Sequence, residues 1–417
     1  MTNPLELFPP GADLDDDGAL RVGGCRLDDV ADVFGTPVMV VDENAVRLRA
    51  RDYLAAFRSR WPNSDVAFAS KAFPCTAVQR VMSEEGLHLD VAGGGEIITA
   101  IAAGADPARM LLHGNAKTDE EIEMAVRNGI GLVVVDNEDD IDRLERIVES
   151  GRRQPCLVRV IPGIRADTYS AVLTGHAESK FGLSPRAARA AIDRIKRSPR
   201  LRCDGLHTHV GSQILESGQL AAAVEPLAEL GDFDVYDLGG GLGVRYTYAD
   251  SPPTVDDYAT ALVGEARRLL PADARLIVEP GRSMTATMAC TVYRVTTVKR
   301  GTITHVAVDG GMGDNLEVSL YGQRFEATLV NRVGGGESVT VVGRHCESGD
   351  QLIDGVALQQ PAVGDLLAVP VTGAYCYTMS NQYNGARRIP VVFVSDGSTR
   401  LVVRRDTWAD LLARDVT

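Results

Sequence analysis

The chain has 417 residues, 45% of them hydrophobic, which is more than one ordinary core needs and predicts two domains, one of them large. A net charge of −14 opposes the phosphates of nucleic acid, and no apolar run approaches the roughly 20 residues that cross a bilayer. Met1-Thr2-Asn3-Pro4-Leu5-Glu6 has neither block of an export signal, and seven scattered cysteines form no C-x-x-C pair, which suits a reducing cytoplasm without disulfides.

In chain order, the first 35 residues are rich in loops and short β patterns and are expected to join a later domain. Residues 37–282 alternate β-branched runs with amphipathic stretches. Strands are predicted at 38–41, 66–69, 87–91, 110–113, 132–135, 156–161, 203–209, 235–238 and 276–279, and helical patterns fill 118–129, 138–150, 185–197 and 255–270. This rhythm predicts a (β/α)8 barrel over 36–284, with chemistry at the C-terminal ends of its strands. Beyond residue 283 short runs at 291–298, 303–308, 338–343, 366–371, 389–394 and 400–403 lie between glycine-rich turns. They predict an all-β, sandwich- or barrel-like domain over 285–417, completed by residues 1–35.

Several predicted strands end on reactive residues. Asp65-Val66-Ala67-Phe68-Ala69-Ser70 runs into Lys71, and apolar surroundings would lower the pKa of that amine, as an imine-forming lysine requires. Asp90 and His209 close two further strands. Gly239-Gly240-Gly241-Leu242-Gly243 follows another, and there backbone N–H groups and a helix N-terminus can hold one phosphate. It lacks the G-K-[S/T] of a P-loop. Glu279-Pro280-Gly281-Arg282 supplies an acid able to face a ring nitrogen and a guanidinium fork for an anion. Each alone has a plainer reading, as a solvated lysine, a tight turn or a surface ion pair. Together they describe a cradle for pyridoxal 5′-phosphate. His207-Thr208-His209 has no thiol or carboxylate cluster to complete a metal set, so no metal is expected. Cys346, in His345-Cys346-Glu347-Ser348-Gly349-Asp350, sits among polar neighbours and can deliver a proton, and Tyr375 can reach a phosphate. These residues belong to the other predicted domain, so a two-fold dimer with shared sites is the economical expectation.

Almost the whole chain resembles the diaminopimelate decarboxylases, pyridoxal-phosphate enzymes of the alanine-racemase-like barrel group (fold type III). The matching runs are Phe68-Ala69-Ser70-Lys71-Ala72-Phe73, Leu89-Asp90-Val91 with Gly95-Glu96, His113-Gly114-Asn115-Ala116-Lys117, Lys180-Phe181-Gly182-Leu183-Ser184, residues 209–213, 237–243, 279–282, 308–312, 345–350 and 373–377. The resemblance implies that Lys71 carries the cofactor and His209 stacks on its ring. Ser212, Gly240, Gly241 and Gly281 would hold the phosphate, with Tyr375 across the dimer, Asp90 would belong to the cofactor's surroundings, and Glu279 would pair with the ring nitrogen. Cys346 of the second chain would be the proton donor after CO₂ leaves. Arg282 and Tyr321 would contact substrate, and Glu347 its distal amine.

One departure stands out. The family reads Asp-Asn-Ile/Pro-Arg before Ala-Leu-Tyr, whereas here Asp314-Asn315-Leu316 is followed by Glu317, so a carboxylate replaces the arginine on the surviving substrate carboxylate. Reversing a charge about 4 Å from an anion changes its energy by several kcal/mol at intermediate dielectric. The expectation is a decarboxylase for a related amino acid with a different far end, from a specialised-metabolite or polyamine pathway. Rescue of the clamp by Arg324 or Arg165 would keep meso-diaminopimelate as the substrate and L-lysine as the product. A racemase and a non-catalytic cofactor-binding protein are the remaining alternatives.

Overall fold

The computed structural model describes residues 3–163 and 179–416. The chain divides into two units, Arg47–Gly243 with Pro252–Ser283, and Met1–Val46 with Val244–Ser251 and Met284–Thr417.

In the second of these units a small sheet pairs β1 (Asp13–Leu14), β2 (Leu20–Val22) and β3 (Cys25–Arg26). The first strand of its large sheet is β4 (Val38–Asp42). The other unit is a closed, all-parallel barrel of eight strands: β5 (Ser64–Ala69), β6 (His88–Val91), β7 (Met110–Leu112), β8 (Leu132–Val135), β9 (Gln154–Arg159), β10 (Leu201–His207), β11 (Val235–Asp237) and β12 (Arg275–Val278). Outer helices are capped by their own side chains. Thr118 and Glu121 form a capping box on helix Asp119–Asn128, which ends at Gly129 in the left-handed region. Thr254 and Asp257 do the same for Val255–Leu269.

The large sheet has nine strands and adds to β4 the strands β13 (Ala289–Lys299), β14 (His305–Val308), β15 (Thr328–Leu329), β16 (Glu337–Val342), β17 (Gln351–Leu358), β18 (Leu366–Pro370), β19 (Val391–Ser395) and β20 (Ser398–Val403). Its core joins Leu20, Val22 and Leu27 to Val38, Val40, Cys290, Val292, Val392 and Val394.

Two expectations need correction. Residues 38–41 were predicted to open the barrel, yet β4 pairs antiparallel with β13 and parallel with β19. All five of its side chains are buried, a pattern that suits any central strand and does not say which sheet it joins. The eight-residue β17 was not predicted, because Asp354 and Gly355, at φ +76°, interrupt its apolar pattern.

Candidate active site

The barrel interior is layered. Ala67, Leu111, Leu132, Val134, Leu157, Val235 and Ile277 form one apolar layer. Side chains alternate in a strand, so the residues two positions further on face inward as well. Those positions carry Ala69, His113, Asp136, Arg159, Asp237 and Glu279. The register adds Asp90 beside Ala69, and His207 beside both Arg159 and Asp237. A ring that is charged except at Ala69 thus caps the apolar layer at the strand ends, and each member is buried.

Glu279 is the hub of this ring. His113 Nε2 stands 2.6 Å from its Oε1, and His207 Nε2 stands 3.2 Å from its Oε2. Asp90 Oδ1 lies 3.7 Å from His113, and the two imidazoles meet edge-on at 4.9 Å. Burial alone would raise the Glu279 pKa, but the charges and hydrogen bonds of both histidines outweigh it and hold the carboxyl well below its usual range. Burial likewise acts to lower His113, yet Asp90 and Glu279 together raise it. His207 has weaker compensation, and burial pushes it down to about 4. Asp237 is pushed well above the carboxylate range by burial and by the Glu279 charge. Arg159 stands 3.6 Å from Asp136, with its guanidinium 4.5 Å from the Phe181 ring centre.

Lys71 lies in the 3₁₀ turn Ser70–Ala72, just past β5. Its charge acts on Asp90, Glu96 and His209. The burial expected for it is not found: Ser70 and Ala72 are buried, while Lys71 is exposed. The turn breaks the strand's alternation, and charged groups, not apolar ones, are its electrostatic neighbours. His209 Nδ1 accepts from Gly240 N at 3.2 Å, which leaves the ring proton on Nε2. Burial, then the Lys71 and Arg159 charges, hold this imidazole well below its ordinary pKa, so it is neutral.

The glycine run is shaped by close packing. A Cβ on Gly240 would lie 2.1 Å from Glu279 O, and one on Gly241, at φ +118°, 2.6 Å from Gly211 O. Ile214 N donates to Gly241 O, and Gly243 N to Ile214 O, which laces the loops after β10 and β11. The helix N-terminus expected here is missing, since the next helix begins at Val255. Arg282 Nε donates to Ser212 Oγ at 3.2 Å, and Gly281 approaches Ala69 and Ala72. The barrel therefore brings Lys71, Asp90, His209, Ser212, Gly240, Gly241, Glu279, Gly281 and Arg282 to the same end of its strands.

In the β unit, Asp350 accepts from Met312 N and His345 N, which builds the 343–350 loop on the 308–312 turn. Cys346 is exposed, and its N–H donates to Asn384 Oδ1 at 2.8 Å. Glu347 is exposed and accepts from Tyr383. Tyr375 is half-buried at φ +64°. Glu317 opens the short helix Glu317–Tyr321 and is that helix's buried residue, accepting from Tyr246 Oη at 3.1 Å. Tyr246 packs edge-on against Phe325. Tyr321 is half-buried and Arg324 is exposed, while Arg165 falls outside the described residues.

Carboxylates do cluster at His207, contrary to the sequence reading. Donor atoms of His113, His207, Asp237 and Glu279 lie within 4.8 Å of one another. Two ligands on a tetrahedral zinc ion, each bonded at about 2.0–2.1 Å, stand about 3.3 Å apart. The 2.6 Å contact of His113 with Glu279 is too short to share an ion, so the cluster is a proton-sharing network. Arg159, Asp136, His207 and Asp237 were missed as members of this ring. Strand parity alone would have found Asp136, Arg159 and Asp237, each two residues past an apolar inward position, whereas His207 follows from its register beside Arg159 and Asp237.

A family model described as pyridoxal-dependent decarboxylase, pyridoxal binding domain, matches residues 46–286. Diaminopimelate decarboxylase of Actinosynnema pretiosum subsp. auranticum is 45% identical, over 98% of this chain and 95% of that protein. The Bacillus subtilis protein of that name is 39% identical, over 96% and 95%. A crystal structure of diaminopimelate decarboxylase from M. jannaschi has a TM-score of 0.91 and 28% identity, covering 98% of both chains. The chain belongs to the pyridoxal-dependent decarboxylases of fold type III: it is a pyridoxal 5′-phosphate-dependent amino-acid carboxy-lyase.

Proposed function

We propose that this decarboxylase acts on an amino acid whose far end carries an ammonium group and no free carboxylate, a D-lysine or D-ornithine type of substrate. Glu317 carries the reading. It occupies the sequence position of the arginine that the resembled family sets on the surviving carboxylate, and it is a fully buried carboxylate fixed by Tyr246. An anion there repels a substrate carboxylate and attracts a cation.

The barrel residues fit the cofactor. Glu279 is buried and held ionised, as an acceptor facing a protonated ring nitrogen should be. Lys71 would anchor the cofactor, Ser212, Gly240, Gly241 and Gly281 would hold its phosphate with Tyr375, and Asp90 would stand behind His113. Bound pyridoxal phosphate supplies an electron sink for the charge left at Cα when CO₂ departs. The chain's own groups set the proton inventory around it. Glu279, held ionised, would keep a proton on the cofactor's ring nitrogen. His209, neutral, would stack on the ring without adding charge. Arg282 and Tyr321 orient the substrate, and Glu347 binds its distal amine. The Cys346 thiol gives its proton to Cα. Cys346 and Glu347 are exposed within one chain, which supports a homodimer in which each chain's copies complete the other's site.

A second reading is decarboxylation of meso-diaminopimelate, supported by relatives of that name at 38–45% identity over nearly the full length. Mass spectrometry of products from a panel of diamino and acidic amino acids, both enantiomers included, separates the two. A diamine product, with meso-diaminopimelate poorly used, supports the cationic substrate. Efficient formation of L-lysine from meso-diaminopimelate refutes it.

A further inference from the structure

We infer that Lys117 is a positioning residue, which with Asp140 fixes the ends of β7 and β8 so that His113 meets Glu279. The Lys117 side chain is 1% exposed and that of Asp140 0%. Lys117 Nζ donates to Asp140 Oδ2 at 2.7 Å and to Gly114 O at 2.7 Å. The same Asp140 oxygen accepts from Asp136 N at 3.0 Å. Asn137 Nδ2 adds a donor to Asn115 O at 3.0 Å. One buried ion pair therefore grips the carbonyl that follows His113 and the amide of Asp136.

The backbone shows why a grip is needed. His113 ends the inward column of β7, and the chain then turns at Gly114, φ +126°, a conformation open mainly to glycine. Nothing in a glycine side chain can hold that turn. The Lys117 ammonium holds it from below, with Cγ 3.4 Å from where a Gly114 Cβ would stand. On the neighbouring strand, Asp136 Oδ1 accepts from Gly182 N and its other oxygen faces Arg159. Both ring members thus inherit their placement from the Lys117–Asp140 pair.

Stability is a poor explanation for such a pair. Desolvating two ions costs several kcal/mol each, and well-packed apolar replacements are often neutral or stabilising. Geometry is what an apolar pair would not supply, since it cannot hold a carbonyl and an amide at once.

The test uses Lys117→Met/Asp140→Leu, which removes both charges together, beside Asp140→Asn, which keeps the shape. Three quantities are measured: the melting temperature, the dissociation constant for pyridoxal phosphate by fluorescence titration of the apoprotein, and the acidic limb of the kcat–pH profile. The double variant should melt within a few degrees of wild type. Its cofactor should bind roughly tenfold or more weakly, the scale seen when outer-shell partners of a bound group are lost. Its acidic limb should move up by about one pH unit, because Glu279 loses part of the support of His113 while Asp90, Asp237, His207 and Arg159 remain around it. A double variant that melts like wild type and keeps both the wild-type dissociation constant and the wild-type limb overturns the inference. Should the double variant not fold, wild-type values for both quantities in Asp140→Asn overturn it equally.

Discussion

The barrel and the β unit hold their candidate residues in opposite ways. In the barrel, His113, His207, Asp90 and Glu279 are buried, mutually paired and shifted in pKa by one another. In the β unit, Cys346 and Glu347 are exposed on a loop that a buried aspartate, Asp350, fastens to a neighbouring turn. The lesson is a division of labour. Proton bookkeeping around the cofactor is pre-set inside the barrel, where low dielectric makes each charge count. The residues proposed to meet the far end of the substrate sit on short elements of the other unit. Glu317 is the instructive case, a change of charge that leaves the barrel ring untouched.

The largest effect should come from the barrel. Lys71→Ala should lower kcat by roughly a thousandfold or more, and borohydride should no longer fix pyridoxal to the protein. Near-normal turnover in that variant would break the comparison at its foundation. Cys346→Ala should lower kcat by about a hundredfold, the lower range for a lost general acid, with a small change in KM. Because the loop is exposed, its melting temperature should match wild type, which calorimetry checks.

A smaller effect separates the two histidines that share Glu279. His207 titrates at about 4 when folded and near 6.5 when unfolded, so the unfolded chain binds the extra proton between those values. Stability contributed at neutral pH is therefore lost as pH falls from about 6.5 to about 4, by about 3 kcal/mol at most. His113 is raised instead, so its contribution is complete below about 6.5 and lost as pH rises through its folded value. Urea denaturation from pH 7 down to 4 should show a shallower decline for His207→Gln than for wild type. An unchanged slope would mean that the cluster does not hold His207 neutral.

Much of this was legible in the sequence for a physical reason. Asp90, His209 and Glu279 each close an apolar β run whose period-two alternation carries the inward face to them, and Lys71 directly follows such a run. Glu317 was legible as a departure from a motif. Other features depend on partners remote in the chain. Val38–Asp42 looks like a barrel strand until its pairing with β13 and β19 is known. The exposure of Lys71 follows from a turn that apolar content does not reveal. The Lys117–Asp140 pair joins a loop to the first turn of the helix Glu138–Ile147, 23 residues on, and nothing in either segment alone marks it.

The measurement that bears most directly on the central claim is the ratio of kcat/KM for meso-diaminopimelate to that for D-lysine, in wild type and in Glu317→Arg. The account predicts a ratio below one in wild type and a rise of roughly a hundredfold in the variant, the scale of about 3 kcal/mol for one reversed charge. A wild-type ratio far above one, left unchanged or lowered by the arginine, would contradict it.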